Sequence, residues 1–138
     1  MKAFVLFVSL CLLTPFSLAH HSVPVNFDTS DTITVSGVIT HAKWINPHSQ
    51  IYLDVTNEDG SITPWLVEMN ALNTIQRLGR QLDMYPEEFV VGDELTVIGW
   101  RGRNMNAVYF RKATLANGKE IIWESRLDPD LTRVETFD

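Results

Sequence analysis

A mainly β fold is predicted by three features of the chain. Apolar residues recur with period two along most of it, the period changes to three once near the middle, and Gly, Pro and Asn punctuate the runs at short intervals. From Thr32 to Thr40, Ile33, Val35, Gly37 and Ile39 alternate with Thr34, Ser36, Val38 and Thr40. This is a long first strand, with Gly37 marking a bulge or bend. Trp44-Ile45-Asn46-Pro47-His48 is a connection, because Asn-Pro starts turns. Ile51, Leu53 and Val55 share one face of a second strand. Asn57-Glu58-Asp59-Gly60 returns the chain into a third, about Ile62 to Met69, with Trp65, Val67 and Met69 in phase. Leu72, Ile75 and Leu78 then mark a short helix, with Asn70 as its cap and Gly79 as its end. A fourth strand carries Leu95, Val97 and Gly99, and a fifth runs from about Ala107 to Leu115. Asn117-Gly118 turns the chain back through Lys119 to Trp123. Three strands, one short helix and two or three further strands is the layout of a small OB-like Greek-key barrel of five to six strands, the helix lying between strands 3 and 4. A small β-sandwich is the alternative.

The ends read differently from this body. Lys2, the apolar run Ala3 to Leu13, Pro15 and Ser17-Leu18-Ala19 follow the pattern of a cleavable signal peptide over residues 1–19. The run is well short of the ~20 residues a membrane span needs. Cleavage after Ala19 predicts a periplasmic or secreted protein with no membrane partner once processed. It removes Cys11, the single cysteine, and makes His20 the first residue. Residues 20–30 read as an extended arm, 31–123 as the barrel and 124–138 as a polar tail.

Composition narrows the function. At 45% hydrophobic and 20% charged, the chain is globular. Without Cys11, a disulfide scaffold, a thiolate metal site and a cysteine nucleophile are excluded. The net charge of −6 leads to the expectation of no nucleic-acid partner. No nucleotide-binding glycine loop, Gly-x-Ser-x-Gly elbow or His-Glu-x-x-His motif is present, so the chain reads as a binding module rather than an enzyme.

Several stretches together resemble a family of small exported bacterial proteins of unknown function. They are His20-His21-Ser22 with Phe27-Asp28, Gly37-Val38, the Trp44-Ile45-Asn46-Pro47-His48 turn, Trp65, Glu68, Leu78-Gly79, Val91 to Val97 and Leu115 to Glu120. The resemblance covers nearly all of the chain from His20 to about Trp123. It implies export and a small β-fold and names no activity.

All four histidines, His20, His21, His41 and His48, lie near the start of the processed chain. A freed His20 would present its α-amine and its ring together, a chelate that suits copper(II), with His21 or His48 as a further ligand. This resembles the histidine brace of exported copper proteins such as lytic polysaccharide monooxygenases, in the N-terminal histidine alone. His20, His21 and His48 are therefore the candidate metal ligands and copper the candidate cofactor. The bland alternatives are a solvated arm, and a structural turn in which Asn46, Pro47 and His48 serve the backbone. His41, in phase with Ile39 and Val35, reads as a barrel-end histidine. Asp28 reads as an oxygen ligand or a turn residue. The alternative function is a barrel that binds a small molecule, a glycan or a periplasmic protein partner on an aromatic face of Trp44, Tyr52 and Trp100.

Overall fold

The computed structural model describes residues 23–123. The proposed signal peptide, His20, His21 and the 124–138 tail lie outside them.

A one-turn helix, Val23–Asn26, leads directly into strand β1 (Phe27–Lys43). Strands β2 (Gln50–Thr56) and β3 (Ile62–Glu68), helix α1 (Leu72–Leu82) and a 3-10 turn, Pro86–Glu88, follow. Strands β4 (Glu94–Gly102), β5 (Ala107–Leu115) and β6 (Glu120–Ile122) complete the chain. The 17-residue β1 serves two partners. Its first part pairs with β4, from Phe27 opposite Gly102 to Val38 opposite Glu94. Its last part pairs with β2, from Val38 opposite Asp54 to Lys43 opposite Gln50. The strands run antiparallel in the order β3-β2-β1-β4-β5-β6. A short parallel pairing of β3 with β5 closes the ring, joining Leu66, Val67 and Glu68 to Ala107, Val108 and Tyr109. This is the expected OB-like barrel.

The interior is filled from every strand. Ile39, Ile51, Leu53, Val67, Leu95, Val97, Val108, Phe110 and Ile121 are all buried in one cluster with Trp123. Helix α1 closes one end, placing Ile75, Leu78 and Leu82 against Met69, Met84 and Phe89 of the same cluster. Among the described residues no helix is long and apolar enough to cross a membrane.

Five local readings are corrected. Strand β1 begins at Phe27 rather than Thr32, so the last residues of the expected arm are strand. The bulge lies between Ile39 and His41, and Gly37 serves a close approach instead: a Cβ there would stand 2.6 Å from the Asp54 carbonyl oxygen. The bulge shifts the side-chain alternation by one residue, which turns His41 outward to solvent rather than to the barrel end. Helix α1 runs through Gly79 to Leu82 and ends at Asp83, whose φ of 47° is left-handed. Gly79 is a packing glycine, since a Cβ there would meet the Met84 carbonyl. Asn70 does not cap the helix; that work falls to the connection between β1 and β2.

Candidate functional site

That connection, residues 44–49, is sewn to the corner between β3 and α1. Ile45 accepts a backbone hydrogen bond from Leu72 at 3.0 Å, and the Asn46 side-chain oxygen accepts one from the Asn73 amide at 3.1 Å. Two donors of the first helical turn are thus satisfied from outside the helix. Ser49 is fully buried, its amide donating to the Asn70 carbonyl and its carbonyl accepting from Met69. The Ser49 hydroxyl donates back to Ile45 at 3.2 Å. The Asn46-Pro47 peptide is cis. Asn46 is therefore a structural residue, and the turn it anchors delivers His48 from a fixed backbone.

His48 faces the end of β3. Its Nδ1 lies 2.6 Å from Glu68 Oε1, with the His48 side chain 29% and the Glu68 side chain 16% exposed. The contact is close but falls off the axis of an ideal N–H hydrogen bond, and Nδ1 itself is buried. The ring is thus partly exposed while its Nδ1 is not. His48 lines a surface pocket together with Asn26, Ile45, Pro47, Gln50 and Glu68.

Asn26 brings the N-terminal segment into the same pocket wall. The segment lies on the outer face of the barrel, where Phe27, Ala107 and Tyr109 form a second buried cluster with Val23, Leu66 and Trp100 packed against it. The Phe27 and Tyr109 rings are 5.4 Å apart. Arg103, in the β4–β5 connection, donates from its amide to the Asn26 carbonyl at 2.9 Å and from its side chain to the Pro24 carbonyl at 3.2 Å. Asp28 is engaged by the Ser30 amide and hydroxyl and by Arg103, which accounts for it as a turn residue.

Tyr109 sits beside Glu68 across the β3–β5 pairing. Burial, and secondarily the Glu68 charge, push its hydroxyl above the ordinary phenol value of 10.0. The unfolded chain therefore releases this proton first, so the stability that Tyr109 contributes is intact below pH ~10 and is lost as pH rises through the raised folded value. Urea midpoints measured at about pH 9 and pH 11 should fall across that interval, and Tyr109→Phe should shrink the fall. An equal fall in the variant would remove Tyr109 as a cause.

Among the sequence-derived candidates, His48 is in the pocket, while His20 and His21 lie outside the described residues. The three aromatic candidates do not form one face. Trp44 turns inward, 5.3 Å from the Phe89 ring and against the barrel core. Tyr52 is on the outer surface, its hydroxyl donating to Gln50 at 2.9 Å and the Lys43 amine 5.2 Å from its ring centre. Trp100 stacks on Tyr109 at 5.7 Å, and the Arg111 guanidinium lies 4.4 Å from the Trp100 ring centre. Val23 of the N-terminal segment packs against the same cluster. Glu68 was not among the candidates. Its signal in the sequence is a carboxylate out of phase with Trp65, Val67 and Met69 at a strand end. Among the described residues no group of three or more His, Cys, Asp or Glu side chains is placed to hold a metal ion.

The fold and the pocket define a small OB-like barrel with a histidine–carboxylate pair at its first strand connection. The chain belongs to a family of unknown function, DUF6152, which residues 9–119 match. A comparison with curated proteins gives no match. Solved structures with a similar fold include the N-terminal domain of PriB from Thermoanaerobacter tencongensis. It is 18% identical, with a TM-score of 0.45 over 62% of this chain and 96% of that one. The mitochondrial single-stranded DNA binding protein Rim1 of S. cerevisiae is 11% identical, with a TM-score of 0.44 over 62% of this chain and 92% of that one. A chain of the S. pombe Stn1-Ten1 complex is 14% identical, with a TM-score of 0.42 over 61% of this chain and 57% of that one. These similarities correct the expectation of no nucleic-acid partner, since one of these proteins is itself a single-stranded DNA binding protein. Net charge sums over a whole surface and does not exclude a partner class from any one face of it.

Proposed function

We propose that the protein is exported, processed after Ala19, and binds a metal ion at the first strand connection, with copper(II) the favoured metal. His20 supplies its α-amine and ring, His48 supplies Nε2, and His21 is the further candidate ligand. The observation that carries this reading is the pocket wall shared by His48 and Asn26. Val23 and Asn26 are neighbours within one helical turn. Only three residues, His20 to Ser22, precede Val23 in the processed chain, and extended they span about 10 Å. That short tether to a segment whose Asn26 lines the His48 pocket supports the reading. Nitrogen ligands of this kind suit copper(II) over hard cations such as magnesium or calcium.

Calorimetric titration of the processed protein with copper(II) tests the reading. Placing a single extra residue ahead of His20 removes the amine–ring chelate and leaves the barrel untouched. Affinity should fall by at least about 100-fold, because loss of even an outer-shell partner costs 10–100-fold. Equal binding by the extended and processed proteins would sink the N-terminal chelate. Mass spectrometry of the exported protein checks the cut, which requires His20 as its first residue.

A further inference from the structure

We infer that Glu68 is a positioning residue that fixes the His48 ring as its Nδ1–H tautomer, leaving Nε2 as the one nitrogen available to a ligand. The inference deepens the metal-site reading and rests on it for its consequence, though not for its geometry.

The argument starts from what each atom offers. A carboxylate oxygen carries only lone pairs, and a neutral imidazole has one nitrogen that donates and one that accepts. Glu68 Oε1 stands 2.6 Å from His48 Nδ1. Two lone pairs at that separation repel, so the proton belongs on Nδ1. Nδ1 is also buried, which denies it water as a substitute partner. The backbone leaves little room for escape. His48 follows the Asn46 cap and precedes the fully buried Ser49, so its Cα is fixed beside Glu68 and the ring cannot be carried away from the carboxylate by the backbone. Glu68 is held on its own side by β-pairing to Gln50 and to Tyr109. Nε2 is then the acceptor nitrogen of a ring that lines the pocket. Histidines that ligate metals commonly donate their other ring N–H to a carboxylate, which sets the ring's orientation and raises its basicity.

Two measurements on the processed protein test this. In metal-free protein near pH 8, ring ¹⁵N shifts should report His48 with Nδ1 protonated and Nε2 bare. Glu68→Met removes the acceptor at similar size and should give mixed tautomers. Glu68→Gln offers Nδ1 either an acceptor oxygen or an N–H donor and should fall between the two. Copper(II) affinity should fall about 10-fold or more in Glu68→Met and recover in part in Glu68→Gln. An Nε2–H ring in the unaltered protein would overturn the inference, and that reading needs no variant to fold. So would a Glu68→Met protein with unchanged tautomer and affinity. If the processed protein shows the Nδ1–H tautomer but takes no copper, the metal reading fails and the positioning of His48 stands.

Discussion

Gly99→Ala is expected to lower the thermal midpoint by more than about 15 °C, roughly a 4 kcal/mol loss for a domain of this size. Gly99 lies in β4, paired with Ile33 of β1 on one side and with Phe110 of β5 on the other, beside an irregularity between Ile98 and Gly99. A Cβ at this position would run into the backbone carbonyl of Tyr109 and come within 2.9 Å of a Val108 methyl. A carbonyl held in a sheet cannot swing aside as a flexible side chain does. Relief requires β4 and β5 to part, at the barrel wall that carries Val97, Val108 and Phe110 into the core. Gly60 supplies the control. Its φ of 82° is left-handed, but a Cβ there would meet nothing within 4 Å. Gly60→Ala should therefore cost only the backbone preference, about 1–2 kcal/mol. Matching losses at the two sites would mean that close approach is not what Gly99 provides.

Phe27→Ala should cost about 3–5 kcal/mol, the range for emptying a buried aromatic site. Phe27 is 1% exposed although it lies outside the barrel. It is the centre of the outer cluster, tilted at 59° against Tyr109 and packed with Ala107, Val23, Leu66 and Trp100. Denaturant unfolding should show the loss, and amide exchange should speed up first in Val23 to Asp28. A variant with a native midpoint would show that the N-terminal segment is a passenger on the barrel. In that case the tether that the proposed copper site relies on would also be in doubt.

The barrel was legible because its signals are local. Period-two runs, the Asn57 to Gly60 and Asn117-Gly118 turns and the period-three stretch at Leu72 each depend on residues close in sequence. What went unread depends on partners far away. The bulge near Thr40 is set by pairing with β2, and it turned His41 from an expected interior residue into an exposed one. The cap of α1 comes from Asn46, 27 residues upstream, so Asn70 was a reasonable but mistaken choice. Phe27 looked like a stray apolar residue in an arm, because its partners Ala107 and Tyr109 enter only at the fifth strand. The site divides in the same way. His48 was visible from its Asn-Pro turn, whereas Glu68 became meaningful only when β3 and the first connection met. Trp44 and Trp100 both sit at strand ends, and nothing local separates the one that turns into the core from the one that stays outside.

The parallel closure of β3 on β5 spans just three residue pairs. It is as short as the β5–β6 ladder and much shorter than the β1–β4 and β4–β5 ladders, so local opening is expected there before it is expected in the long ladders. Glu68 is one of the three β3 residues in that seam, so each opening also interrupts its hold on His48. The N-terminal segment lies across the same line, with Phe27 and Val23 packed over Leu66 on one bank and Ala107 and Tyr109 on the other. It works as a stitch. The Val23 to Phe27 segment thereby bridges the two strands whose pairing shuts the ring.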